Sequence, residues 1–208
     1  MIHLIIAEYN KAAVALIEKE VKKKLNPYEL GRIDKYKDQK KDQKIIGFEL
    51  LQRQLDYFNQ NISLYDLKRS QFHQPYFEST AFQFSLSYSN NFVICLASLI
   101  TPLGVDIALE DATLINVESE LLNKKEKENL VLNNNAKHFF FLHTRKEAIS
   151  KALGLGIYLD YSSIDVQSNE LRHQNKNWFL NTLTENNYAI SCATAIEHTE
   201  IHISKIEF

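Results

Sequence analysis

Leu103-Gly104-Val105-Asp106-Ile107-Ala108-Leu109 and, about forty residues on, Thr144-Arg145-Lys146-Glu147-Ala148-Ile149-Ser150-Lys151-Ala152-Leu153-Gly154 are the two stretches on which the reading of this chain turns. The first predicts a strand whose apolar run is broken by a single carboxylate beside a glycine. A charge there is costly unless a cation or hydrogen-bond donors meet it. The second predicts a helix on which Glu147 and Lys151, four apart, share a face, with His143 one turn earlier on the same stripe. Two readings of that helix stand side by side. Thr144 and Glu147 fit a capping box, with Glu147 to Lys151 an ordinary i,i+4 ion pair of about 0.2–0.5 kcal/mol; or Glu147 and Lys151 join Asp106 in one chemical site.

Working outward, 2–7 reads as a strand and 11–25 as a helix that stops before Pro27. Ile45, Phe48, Leu51, Leu55 and Phe58 recur at helical spacing, predicting a longer helix over 35–58. Its first turns carry Lys35, Lys37, Lys40, Lys41 and Lys44, either a solvated face or a second cluster of cations for a phosphate. A hairpin is expected from 82–88 and 92–98 about Asn90-Asn91. In the second half, helices are expected near 114–132 and 136–153, the latter ended by Gly154 and Gly156, followed by β-like segments at 163–167, 177–183, 187–195 and 200–207. The expected fold class is α+β, as two similar α/β halves of 1–99 and 100–208, each a small antiparallel sheet packed on helices.

The composition is globular, and 208 residues suit either one large domain or two small ones. Cys95 and Cys192, both in apolar surroundings, cannot make a disulfide framework and lack metal-ligand spacing. No apolar run approaches the length of a membrane span and no basic leader opens the chain, so a soluble cytoplasmic protein without a membrane partner is expected. A formal net charge of −2 gives no global field for nucleic acid, which is excluded as a partner. The distribution is uneven, however: residues 1–75 hold 14 Lys/Arg against 10 Asp/Glu, so a polyanionic ligand is better sought there.

The pairing G-V-D-I, a spacer of about forty residues, then K-E-A-x-x-K-x-x-G-x-G resembles the signature of the 4′-phosphopantetheinyl transferase superfamily, and the length and two-half layout resemble its monomeric Sfp-type branch. Phe84-Ser85-Leu86-Ser87-Tyr88-Ser89 and the strand after it look like the family's F-N-x-S-H-S block. Gln74-Pro75 stands where the family has K-P, and Leu122-Asn123-Lys124-Lys125-Glu126 echoes its F-S-x-x-E segment. The resemblance runs from about residue 40 to the strand at 188–193.

The resemblance implies transfer of the phosphopantetheine arm of coenzyme A to a serine of an acyl, peptidyl or aryl carrier protein, with release of 3′,5′-ADP. It implies Mg²⁺ held by Asp106 and Glu147, with Glu147, Lys151 and Asp106 as the catalytic set. The coenzyme would be held by Ser87, Tyr88, Gln74, Pro75, Lys44 and Lys151 in a cleft between the halves, and the protein would be a monomer. Four positions depart from the family pattern. Ala108 replaces a third carboxylate, for which water or Glu110 would stand in. His143 replaces a tryptophan and either caps, packs or binds metal. Gln74 and Tyr88 replace a basic residue and a histidine, their contacts to be made good by Ser87, Lys68, Arg69 or His73. A family member that binds coenzyme A or a carrier without catalysis is the alternative reading, and a phosphohydrolase metal site a third.

Overall fold

β1 (Ile2–Glu8) is the strand around which the first sheet is built, in a computed structural model that describes residues 1–115, 121–133, 136–197 and 200–208. The chain is mixed α+β and divides into two units, Met1–Ile100 with Glu200–Phe208, and Thr101–Thr199.

In the first unit, β4 (Gln83–Ser89) and β5 (Phe92–Ser98) form the expected hairpin, turned at Asn90 with φ 50°, a left-handed conformation that asparagine tolerates. β5 pairs antiparallel with β1. β10 (Ile201–Glu207) then adds to the other edge of β1 in parallel, so the sheet order is β10-β1-β5-β4. This corrects two expectations: the first sheet is mixed rather than antiparallel, and residues 200–208 belong with the first unit. β1 is buried over six of its seven residues, and a largely apolar strand of that kind takes partners on both edges.

Of this unit's three helices, the third packs on the sheet and the first two pack on the third. α1 (Lys11–Lys23) starts at Asn10, whose side chain accepts from the Ala13 amide at 3.0 Å. α2 (Pro27–Ile33) was not expected; Asn26 caps it through the Glu29 amide and Pro27 sits at its first turn, so the proline that ends one helix begins the next. α3 (Asp38–Tyr57) buries Ile45, Ile46, Leu50, Leu51 and Leu55 against β5. Two short strands, β2 (Lys68–Arg69) and β3 (Pro75–Tyr76), pair as a separate ribbon.

The second unit holds β6 (Leu103–Leu109), the strand the apolar run predicts, at one edge of an antiparallel sheet ordered β6-β9-β8-β7. Its other members are β7 (Glu170–His173), β8 (Lys176–Glu185) and β9 (Tyr188–Thr194). Among the described residues its helices are α4 (Lys124–Asn133) and α5 (Ala136–Leu153). Of the helical stretches expected near 114–132, α4 supplies the later part, a short 3₁₀ turn stands at Ala112–Leu114, and residues 116–120 lie outside the described residues. The strand expected at 163–167 is a loop: Ile164 and Val166 plug the core while Asp165 between them points outward, mimicking strand alternation without pairing. Gly154 (φ 74°) and Gly156 (φ 54°) end α5 in left-handed backbone.

Candidate functional site

Asp106, Glu147 and Lys151 all lie in the second unit, and the packing of α5 on β6 brings Lys151 to Asp106. Gly104 sets that packing: a Cβ there would meet Ala148 O at 2.1 Å and Ala152 N at 2.5 Å, so only glycine lets the helix backbone come this close. Asp106, two residues on, faces the same way. On the neighbouring strands its cross-strand partners are Ser191 and, one strand further, Thr182.

That row meets α5 through hydroxyls. Thr144 Oγ1 and Ser191 Oγ are 2.7 Å apart, Ser191 and Thr182 hydroxyls 2.9 Å, and Arg145 Nε donates to Thr182 at 2.9 Å. Thr144 also donates to Phe140 O one turn back, at 2.8 Å. It sits inside a helix that starts at Ala136, so the capping-box reading of Thr144 and Glu147 is wrong. The capping box is at Asn123 and Glu126, each side chain bonding the other's amide at 2.9 Å. His143 stacks on Phe139, with centroids 5.9 Å apart, a packing position.

Lys151 does reach a carboxylate, that of Asp106 on the strand. Its ammonium donates to Asp106 Oδ1 at 2.6 Å and to Val105 O at 3.0 Å. Asp106 is only 7% exposed, and this cation answers the charge that interrupts the apolar strand. Glu147 Oε1 accepts from the Tyr161 hydroxyl at 2.8 Å. Burial pushes that phenol above the ordinary tyrosine range, against a hydrogen bond with Ser150 that pulls it down, and the negative fields of Glu147 and Asp106 add to the rise.

Two side chains to which sequence reasoning gave no role build the walls. Lys146, 1% exposed, pairs with the equally buried Glu126 at 2.8 Å and donates to Tyr161 O and Ile164 O at 2.6 and 2.7 Å. Glu126 in turn accepts from Val166 N. Arg145, buried without a carboxylate, donates to Val166 O, Ser168 O and the Asn169 side chain and lies 3.8 Å from the Phe141 ring centroid; burial pushes its pKa down to about 10. The two cations thus tie the loop at 161–169 to α5. Tyr161 itself was also missed: fourteen residues beyond Glu147, it bears no periodic relation to the helix.

The remaining expected residues lie in the first unit. Lys44 Nζ stands 3.8 Å from the Tyr88 ring centroid, a cation–π contact. Tyr88 also abuts Gly47, where a Cβ would come within 2.7 Å of its hydroxyl, and burial raises its pKa. Ser87, 4% exposed, is the next residue along β4 and therefore faces the opposite side of the sheet from Tyr88. Gln74 and Pro75 lie in the turn and strand of the β2–β3 ribbon, where Gln74 O accepts from Ser70 N at 2.9 Å. Arg69 grips Glu29 with both Nε and Nη2, at 2.8 and 2.9 Å, and donates to His73 O. A cavity of about 570 Å³ next to it is lined by Lys68, Arg69, Ser70, His73, Tyr28 and Tyr76 among others.

Among the described residues no group of three or more His, Cys, Asp or Glu side chains suits a metal ion, and no helix is long and apolar enough to cross a membrane. Residues 102–195 match the model of the 4′-phosphopantetheinyl transferase superfamily, a span that contains Asp106, Glu126, Lys146, Glu147, Lys151 and Tyr161. The match supports a transferase of that kind. No curated protein matches the chain.

Proposed function

We propose that this protein transfers the 4′-phosphopantetheine arm of coenzyme A to a serine of a carrier protein, releasing 3′,5′-ADP, as a member of the Sfp-type branch with two related halves. The observation that carries this reading is the Lys151–Asp106 ion pair between α5 and β6, with Glu147 one turn before Lys151 on the same helix, inside the matched span.

The donor set fits Mg²⁺, which is bound through one or two carboxylates together with phosphate oxygens and water; Asp106 and Glu147 would hold it. When bound, it supplies neutralisation of charge on the diphosphate. The chain's own groups do the rest. Lys151, a flexible point charge with three donors, turns from Asp106 to a diphosphate oxygen. Glu147 takes the proton as the carrier serine oxygen bonds to the phosphorus and the bond to 3′,5′-ADP breaks. In the first unit, Lys44 and Tyr88 offer a cation and a ring. Lys68 and Arg69, at the 570 Å³ cavity, would turn from Glu78 and Glu29 to meet the 3′-phosphate in place of the contacts that Gln74 and Tyr88 lack, with His73 lining the same cavity and Pro75 and Ser87 next to Gln74 and Tyr88 in sequence.

A soluble, cytoplasmic monomer acting on an acyl, peptidyl or aryl carrier is the form we infer. A groove of about 840 Å³ along α4, lined by Lys124, Lys127 and the exposed Val131, supports an acidic partner with an apolar contact. Incubation with coenzyme A, Mg²⁺ and a panel of apo carriers tests the reading: a carrier gains the mass of the arm. Coenzyme A binding with no transfer across the panel would instead favour a non-catalytic binder, and hydrolysis of coenzyme A without a carrier a phosphohydrolase.

A further inference from the structure

We propose that Tyr161 is a positioning residue of this site, holding the Glu147 carboxylate in its working orientation through the hydroxyl. The inference rests on the transferase reading above. Tyr161 opens a 3₁₀ turn, Tyr161–Ser163, fixed by Asp160, whose carboxylate accepts from the Ser162 amide at 3.0 Å and the Ser162 hydroxyl at 2.7 Å. Its two ends are gripped by adjacent residues of α5. Lys146 Nζ donates to the Tyr161 carbonyl at 2.6 Å, and Glu147 Oε1 accepts from the Tyr161 hydroxyl at 2.8 Å. The Lys146-Glu147 dipeptide therefore clamps one tyrosine at backbone and tip.

The consequence is orientational. A glutamate on a helix has three side-chain torsions, and a donor held by a buried ion pair fixes them at little entropic cost. With Oε1 taken by Tyr161, the carboxylate plane is set and the second oxygen is the one presented to a cation or to the serine proton. The Lys146–Glu126 pair, buried on both sides, carries the clamp into the core. Partners that orient a metal ligand from behind typically change metal affinity or activity by about 10–100-fold when removed.

A double-mutant cycle in the full-length protein tests this, with Mn²⁺ as the probe, coenzyme A present, and free Mn²⁺ followed by electron paramagnetic resonance. Tyr161→Phe should weaken Mn²⁺ binding about 10–100-fold and lower kcat while leaving KM for coenzyme A unchanged. In a Glu147→Gln background the same substitution should add nothing, because the two act through one contact. Unchanged Mn²⁺ binding in Tyr161→Phe overturns the inference. So does an equal loss in both backgrounds, which is what a general folding defect would give. A wild-type protein that transfers the arm while Tyr161→Phe behaves identically removes the Tyr161 inference alone; a wild-type protein that neither transfers the arm nor binds Mn²⁺ removes the transferase reading and this inference with it.

Discussion

Replacing Gly104 by alanine should loosen the contact that assembles the site. The added Cβ would lie 2.1 Å from Ala148 O and 2.5 Å from Ala152 N, both backbone atoms, where real Cβ contacts do not fall below 3.0 Å. No side-chain rotation relieves this, so α5 has to lift from β6 by roughly an ångström, and the cost is at the upper end of the overpacking range, about 3 kcal/mol. Alanine also restricts the unfolded chain, returning about 0.4–1 kcal/mol. The net loss of about 2 kcal/mol corresponds to a melting temperature lower by about 4–8 °C for a chain of this size. Gly31 supplies the control. It lies in α2, where an added methyl would meet nothing within 4 Å, so Gly31→Ala should hold or raise the melting temperature. Calorimetric melting of both variants checks the argument. A Gly104→Ala protein as stable as wild type, or a Gly31→Ala protein equally destabilised, would refute the close-approach reasoning.

Lys146→Met should leave Glu126 charged and unpaired in the core and cost about 3–5 kcal/mol, with Glu126→Gln in the same chain recovering much of it, as read from denaturant midpoints. Asp106→Ala should reduce arm transfer by about a hundredfold, measured as the initial rate of carrier mass gain. His3, buried between Gln54 and Ser204 and stacked on Tyr57, has its pKa lowered from 6.5, chiefly by burial. The unfolded chain therefore protonates first as pH falls, so the stability contributed by the neutral ring is full above about pH 6.5 and is lost toward the folded value. The urea midpoint should fall between about pH 7.5 and about pH 5, and His3→Gln should flatten that slope.

How much of this was legible in the sequence follows from which signals are local. β6, the β4–β5 hairpin and α5 were readable because an apolar run broken only by Asp106, an asparagine turn and a helix closed by Gly154 and Gly156 each carry their own evidence. β10 was readable as a strand but not as a parallel partner of β1, since pairing across nearly two hundred residues leaves no local mark. The loop at 163–167 deceived because two buried aliphatics flanking an exposed aspartate imitate a strand. In the site, Asp106 stood out as a charge in an apolar strand, and the motif spacing singled out Glu147 and Lys151. The partner of Lys151 did not stand out: the nearest carboxylate in sequence is Glu147, whereas the close α5–β6 approach delivers the ammonium to Asp106. Tyr161, Lys146 and Glu126 were hidden for the same reason, their contacts being made by a loop folding back over the helix.

The central claim is that Asp106, Glu147 and Lys151 form a site that moves a phosphopantetheine arm. Intact-mass spectrometry of an apo carrier incubated with coenzyme A, Mg²⁺ and the protein, with 3′,5′-ADP quantified in the same tube, tests it most directly. The account predicts one arm added per ADP released, abolished together by Asp106→Ala. Coenzyme A left intact beside unmodified carriers of every class, with the protein folded, would contradict it.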